Sequence, residues 1–490
     1  MRQAIIAVSL TVLLVFVYSG CSSSTNFSSS QGSNSGGSAA SASLSIHDTP
    51  PNGVNILQFK IQITAAMLQP ADTTQPAVNM LPGPQDVELI HLQTESALLA
   101  NRSVPAGQYT GLTVTFNDPR MVIFNETGQT ITVGAESCAQ MAVCDLSPAL
   151  NQMTITVQAP SNPFPVTLSA TSPLLLLLHF DVNASVQGDL SVTPMVDLTQ
   201  LPVPPSAVGE HTHIFGVVTA VSAPTFTVQS SFGGAMSTIT TDSNTIYHFG
   251  PSCTTDDFTC LATGQLVKVK VNVMSDGTLE ATDVRLLQQH GLPAFLGTII
   301  GVNAAQDQIQ VVLAFAEGPQ ADTAQVQQVS AVPALTVQLS SSTTFLIDSD
   351  SLTLPAGVSF SGPMDLLVGQ TVEFQPVLPV AVSGNPPNLQ VTVGASSLQL
   401  EPSQLTATVT AINAQASPPN FILGSLPPLF TNAGITQIQV DAVMGTVFDN
   451  VVGIGSLSTG ETVSVSALLF NTPTQPTGVA GEVKLRNGTD

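Results

Sequence analysis

Three landmarks recur in one order, three times over, in the second half of this chain, and they restrict its possible folds more than any other feature. Each copy opens with a short apolar segment that starts on a small residue, at 216–221, 297–302 and 407–412. Each then carries a Leu, a Gly three residues on, a Gln or Glu, and an alternating apolar run. The copies are Leu261, Gly264, Gln265, Val267 and Val269; Leu366, Gly369, Gln370, Val372 and Phe374; and Leu457, Gly460, Glu461, Val463 and Val465. Each closes on an Ala followed by aliphatic residues three and five places later, from Ala281, Ala395 and Ala480. The alternation has period two, so the unit is built of strands, and a unit repeated in tandem is one supersecondary module. An opening strand, a second at 226–228 or 335–337, a Gly-Gln turn, a long strand such as 267–273, a tight turn at Ser275, Asp276 and Gly277, and a closing strand make a small β-barrel. The three barrels occupy 213–290, 294–400 and 404–486. Insertions at 317–332 and 376–387 read as loops, where recognition usually resides.

The first half alternates in the same way. In segment 59–63, Phe59, Ile61 and Ile63 face one way and Lys60 and Gln62 the other. Further strand candidates are 87–92, 109–116, 121–124, 130–133, 153–157, 166–170, 174–182 and 190–196. Residues 174–178 are five leucines in succession, too few to span a bilayer, and read as a strand buried on both faces. So many short strands divided by Pro, Gly and Asn call for a β-sandwich over 43–200. The Pro-rich stretch from Leu201 to Pro205 is a stiff joint, and 201–212 reads as the linker. Composition agrees: 43% of residues are hydrophobic, only 8% are charged, Trp is absent, and there are 36 Gly and 35 Pro. The fold class expected is all-β, a sandwich followed by three small β-barrels.

The start of the chain says where such a body belongs. Arg2, the apolar run 4–18 and Ser19-Gly20-Cys21 have the layout of a secretory signal peptide over 1–20. Gly20-Cys21 resembles the lipobox of bacterial lipoproteins, with Tyr18 where Leu is usual, and the resemblance implies that Cys21 is lipidated. Fifteen apolar residues reach about 22 Å, short of a hydrocarbon core of about 30 Å, which disfavours an uncleaved anchor. Residues 21–42 are the lipidated Cys and a tether rich in Ser, Gly, Asn and Ala. Four cysteines remain, Cys138 with Cys144 and Cys253 with Cys260. Each pair is placed to staple a short loop, worth roughly 2 kcal/mol, as expected of an exported protein. The alternative, a metal site, lacks the two-residue spacing of a zinc knuckle.

Three stretches resemble a family of bacterial and archaeal lipoprotein domains known only as a domain of unknown function. They are Asp48-Thr49-Pro50; Val104-Pro105-Ala106-Gly107-Gln108-Tyr109; and Phe180-Asp181-Val182 with Thr193-Pro194. The resemblance covers about 44–200 and implies export and a β-sandwich, with no activity. In the second of these stretches Pro105 and Gly107 make a turn, and the ring of Tyr109 closes one end of the sandwich. The repeats are similar to OB-like barrels of a second uncharacterised family found in exported proteins.

Chemistry is sparse. A net charge of −23 with nine Lys and Arg excludes phosphate neutralisation, hence nucleic acid, and adhesion to anionic lipid. No nucleophile elbow, zinc-protease helix or phosphate loop occurs. His211 and His213, beside Glu210, are two apart and could share a metal on one strand face, but they border the linker, and no metal or cofactor is expected. Asp348 with Asp350, and Asp256 with Asp257, read as solvated turn carboxylates. Lys268 and Lys270 share a strand face and read as guards against edge pairing. The expectation is a non-enzymatic lipoprotein of the cell envelope, held to a membrane by its lipid. It would bind or scaffold a glycan, a peptide or an envelope protein. A polysaccharide hydrolase and a structural spacer are the alternatives.

Overall fold

The computed structural model describes residues 39–49, 55–203, 212–231, 234–249, 253, 255–288, 293–317, 322–349, 352–384 and 389–486. Cys21, His211, Asp350 and the signal-like run lie outside the described residues.

The first sheet of the sandwich is centred on Ala39–Thr49. It pairs in parallel with Leu174–Asp181 and antiparallel with Ser96–Pro105, and Val196–Leu201 lies outside Leu174–Asp181. The second sheet is built on two long strands, Asn55–Pro70 and Gly107–Phe124, with short strands along both flanks. Phe59, Ile61 and Ile63 are wholly buried, as the alternation requires. Tyr109 is buried as well, and its hydroxyl donates to the Pro105 carbonyl at 2.7 Å, tying the turn to the strand it opens.

Three boundaries differ from the sequence reading. The first strand begins at Ala39, inside the stretch read as tether. Its Ala-Ser alternation looks like linker composition, but Ala40 and Ala42 sit in the core ahead of Leu44 and Ile46. Segments 109–116 and 121–124 are one strand. Asp118 takes a left-handed backbone (φ 42°) at a bulge, so Pro119 can sit mid-strand with no donor missing from the ladder. Segment 190–196 is not a strand: Val192 makes only isolated bridges, to Leu150 and Val186, and the ladder starts at Val196.

Each repeat closes as a five-stranded barrel with the strands in spatial order one, two, three, five, four, and the third and fifth parallel. The first barrel uses Thr212–Ser222, Thr225–Ser230, Met236–Thr240, Leu266–Val273 and Leu279–Gln288. The second uses Ala294–Asn303, Gln308–Glu317, Leu335–Gln338, Thr371–Ser383 and Gln390–Glu401. The third uses Ser403–Asn413, Asn420–Gly424, Ile438–Asp449, Thr462–Phe470 and Thr477–Leu485. This is the strand order of an OB-like barrel. The insertion at 317–332 is not only loop: Thr323–Ser330 is a helix, and 376–383 extends the fourth strand of the second barrel.

The landmarks are explained by hydrogen bonds. The first strand of each barrel bulges at the same place, at Thr219, Ile300 and Thr410. The landmark Gly has φ of +86°, +90° and +93°, and its N–H donates to the strand carbonyl before the bulge: Gly264 to Val218, Gly369 to Ile299 and Gly460 to Val409, at 2.7–2.8 Å. A side chain there would be strained. The Gln or Glu side chain then folds back to accept from the loop backbone, Gln265 from Ala262, Gln370 from Leu367 and Glu461 from Ser458, each at 2.7 Å. Gly216 and Gly297 are small for another reason. An added Cβ would sit 2.1 and 2.4 Å from the carbonyl oxygens of Gln229 and Val312.

The four domains share surfaces. Leu174, Leu176 and Leu178 belong to the sandwich core, while Leu175 and Leu177 belong to a cluster with Ile214, Val267 and Val269 of the first barrel. The five leucines are thus buried on both faces because a barrel covers the outer one. Leu266, Leu287 and Ala294 join the first and second barrels, and Leu468, Phe470 and Val479 of the third sit in the core of the second.

Candidate functional site

Residues 88–96 run from one sandwich sheet to the other, between Gln85–Glu88 and Ser96–Pro105, through the 3-10 turn Ile90–Leu92. The sequence reading made 87–92 a strand. Leu89 and Leu92 do point into the core, but the turn between them directs the polar side chains outward. Glu88 organises that turn. It accepts from the N–H groups of Phe59, Ile90 and His91 at 3.0–3.2 Å and from His91 Nδ1 at 2.5 Å. Burial works to raise its pKa, but His91, the Phe59 N–H and Lys60 outweigh burial and hold it below its usual value.

The segment touches every barrel. His91 Nε2 lies 3.4 Å from Thr298 Oγ1 in the second. Gln93 Oε1 accepts from Thr406 at 2.8 Å, and Thr94 donates to Gln404 at 3.0 Å, both in the third. Glu95 accepts from Lys268 Nζ at 2.9 Å and faces His213 Nδ1 at 3.4 Å, both in the first. Ser96 and Ala97 pair with Thr212 and His213, so the sandwich sheet continues into the first barrel. Burial would raise the pKa of Glu95, yet His213, Lys268 and Lys270 together drive it well below the carboxylate range.

The charges of this chain gather at the same junction. Of nine Lys and Arg, five (Lys268, Lys270, Arg285, Lys484 and Arg486) stand on or beside the last two strands of the first and third barrels. Arg486 Nη2 donates to the carbonyls of Gln93 at 2.7 Å and Asp48 at 3.3 Å, fastening the third barrel to the sandwich. Arg285 pairs with Asp348 and lies 3.5 Å from Glu401, fastening the first barrel to the second. Burial pushes up the carboxyls of Glu373 and Glu401 beside it, and Asp348 adds to the effect. His47 and His179, register partners on adjacent strands, hydrogen-bond to each other, and burial lowers the pKa of His47 well below its usual value.

These positions correct several sequence readings. Asp348 is not a solvated turn carboxylate but the partner of a buried Arg. His213 is not a linker residue: it is 2% exposed on a barrel strand and faces Glu95. Lys268 and Lys270 guard no edge, because Leu266–Val273 has neighbours on both sides. Burial, then Lys268, lowers the pKa of Lys270. Among the described residues no three His, Cys, Asp or Glu side chains could hold one metal ion. Cys138 is joined to Cys144 and Cys253 to Cys260, with Cα separations of 5.7 and 5.9 Å.

Beside residues 88–96 lies a cavity of about 240 Å³ where sandwich, second barrel and third barrel meet. The sandwich contributes Asn55, Ile56, Leu57, Ile90, His91 and Gln93. The barrels contribute Thr298, Gln404, Leu405 and the short helix Pro428–Asn432 with Phe430. The Phe430 ring packs on the bare Cα of Gly369, whose added Cβ would come within 2.3 Å of it. Sequence reasoning missed this site, because its walls come from three domains. It also missed a third feature common to the barrels. Thr245, Thr343 and Thr446 each donate to the carbonyl of the landmark Ala (281, 395 or 480) at 2.7–2.8 Å. A Thr 36, 52 or 34 residues before its Ala has no fixed spacing to reveal it.

Residues 39–194 match the family model of a domain of unknown function, DUF4382, and residues 215–285 that of another, DUF5666. No curated protein matches the chain. Among the solved structures that align with it are the following two. One is "drosophila Unr CSD456", with 10% identity, 56% of this chain and 98% of that chain covered, and a TM-score of 0.12. The other is a multidomain protein with nucleic acid binding domains from Streptococcus pneumoniae, with 9% identity, 56% and 73% covered, and a TM-score of 0.11. Superpositions this slight carry no argument about fold or function.

Proposed function

We propose that this chain is an exported lipoprotein, anchored through Cys21, whose folded body is a non-catalytic binding module of the cell envelope. The observation that carries the binding reading is the cavity walled by three domains and braced by residues 88–96. A spacer needs only length, and its modules need no shared cavity. The signal-like run, Gly20-Cys21 and two disulfides support export. Replacing Cys21 by Ser should release the protein from membrane fractions; a variant that stays membrane-bound would overturn the anchor. For binding, thermal-shift screening of the full chain against glycans, peptides and envelope extracts should yield a stabilising ligand, and its effect should vanish when the cavity is narrowed by Thr298→Phe.

A hydrolase is the second reading, because Glu88, His91 and Thr298 stand in the order acid, base and hydroxyl, the last two on the cavity wall. Binding is preferred for two reasons. The N–H groups flanking Thr298, those of Ile299 and Gly369, already donate to the carbonyls of Gln370 and Ile299, so they are not aimed at a developing oxyanion. No carboxylate is among the described residues lining the cavity, as paired-carboxylate glycoside cleavage would need. Turnover of ester or glycoside substrates that disappears in His91→Ala would reverse the preference.

A further inference from the structure

We infer that the cavity beside residues 88–96 takes a neutral sugar ring, an inference that rests on the binding reading above and names its ligand class. The lining decides the charge of the ligand. No Lys, Arg, Asp or Glu is among its described residues, so an anion or an amine would enter without a counter-charge. Its size decides the scale: 240 Å³ lies below the range of about 300–1,000 Å³ of drug-sized sites.

Its polar groups decide the chemistry. Asn55 is 5% exposed, and its Nδ2 is buried with no acceptor among the described residues. A buried donor left unpaired is rare in a native fold and points to a ligand or an ordered water. His91 presents the other half. Its Nδ1 is held by Glu88 at 2.5 Å, and its Nε2 lies 3.4 Å from the hydroxyl of Thr298, which also lines the cavity. A ligand that satisfies Asn55 must accept, and one that meets the Thr298 hydroxyl can donate or accept. Hydroxyl groups do both. Leu405, Leu426 and the Phe430 ring of the third barrel also line the cavity and offer an apolar surface for the C–H face of a pyranose. A pure hydrocarbon would leave Asn55 unpaired.

The test is titration calorimetry on the full chain with glucose, galactose, mannose and N-acetylglucosamine. Glucuronate and glucosamine serve as charged analogues, and cyclohexanol as a ring with one hydroxyl. At least one neutral sugar should bind. Asn55→Leu and Thr298→Val should each weaken it tenfold or more, and the charged analogues should bind at least tenfold more weakly. Circular dichroism establishes that each variant is folded, and if Asn55→Leu does not fold, Thr298→Val alone gives the reading. Sugar binding that ignores the variants, or glucuronate binding as well as glucose, overturns the inference. Cyclohexanol binding alone, lost in the variants, overturns the sugar class and leaves the binding reading standing. No binding of any probe to the stable parent protein removes the sugar proposal, and if the wider glycan, peptide and extract screen is also silent, the binding reading falls with it.

Discussion

Gln265, Gln370 and Glu461 hold equivalent places in three barrels but not equivalent surroundings. Gln370 is wholly buried and bridges domains: it accepts from Leu367 and donates to the carbonyls of Asp365 and of Leu469 in the third barrel. Gln265 is half-buried and serves its own loop. Replacing Gln370 by Ala strands a buried N–H and a buried carbonyl, at about 1–3 kcal/mol each. Gln370→Ala should therefore lower stability by about 2–4 kcal/mol in urea unfolding, and Gln265→Ala by about 1 kcal/mol or less. Equal losses would refute the bridging role. Glu482 offers a pH test. Burial, then Glu95, pushes its carboxyl up to about 8 against the partial relief of Lys484. Between pH 4.5, where the unfolded side chain ionises, and pH 8, the folded state keeps a proton that the unfolded state has lost. Stability therefore falls as pH rises through this window, by at most about 1.4 kcal/mol per unit. Glu482→Gln should flatten that slope between pH 5 and 8, and parallel melting curves for the two proteins would show that the carboxyl does not matter.

Among the elements, the strand Leu174–Asp181 shows how domains depend on one another. Its inward leucines need the sandwich and its outward ones need the first barrel. A fragment of residues 39–203 would expose Leu175 and Leu177 with Leu98 and Leu201, an apolar patch of the kind that drives association. The fragment should oligomerise in sedimentation experiments, and Leu175→Thr with Leu177→Thr should render it monomeric. In the intact chain the same pair should cost several kcal/mol, because each Thr buries a hydroxyl where Leu packed. A monomeric unmodified fragment would mean that the barrel contributes nothing to covering this strand.

The whole molecule is a sandwich and three barrels joined by shared apolar surfaces, one short segment and a few cations. A chain with net charge −23 has little positive charge to distribute, and it concentrates five of nine cations where domains meet. Arg486 joins the last residues of the third barrel to the sandwich, so Arg486→Ala removes charge-assisted bonds of about 1.5–3 kcal/mol each. The effect should be local. The third barrel should become sensitive to limited proteolysis, while the sandwich and first barrel keep their resistance. Uniform sensitivity throughout, or none, would contradict the fastening role.

Much of this architecture is legible from local rules. The period-two runs determine strands, the Leu, Gly and Gln landmarks determine the loop that closes each barrel, and the paired cysteines are near enough in sequence to meet. These features act over a few residues, so the chain records them as spacing. The places where reading failed are those where distant segments compete for one residue. Asp348 looks like a turn carboxylate until Arg285, sixty-three positions away, meets it. Residues 87–92 alternate like a strand, yet the segment turns because Glu88 collects three N–H groups. The cavity is not written in any one stretch, since its walls come from three domains. Its charge-free lining follows from packing, which sends the few ionic groups to the junction beside it. Local sequence determined what the modules are; only tertiary packing, which decides which buried polar groups find partners, decided where a ligand could enter.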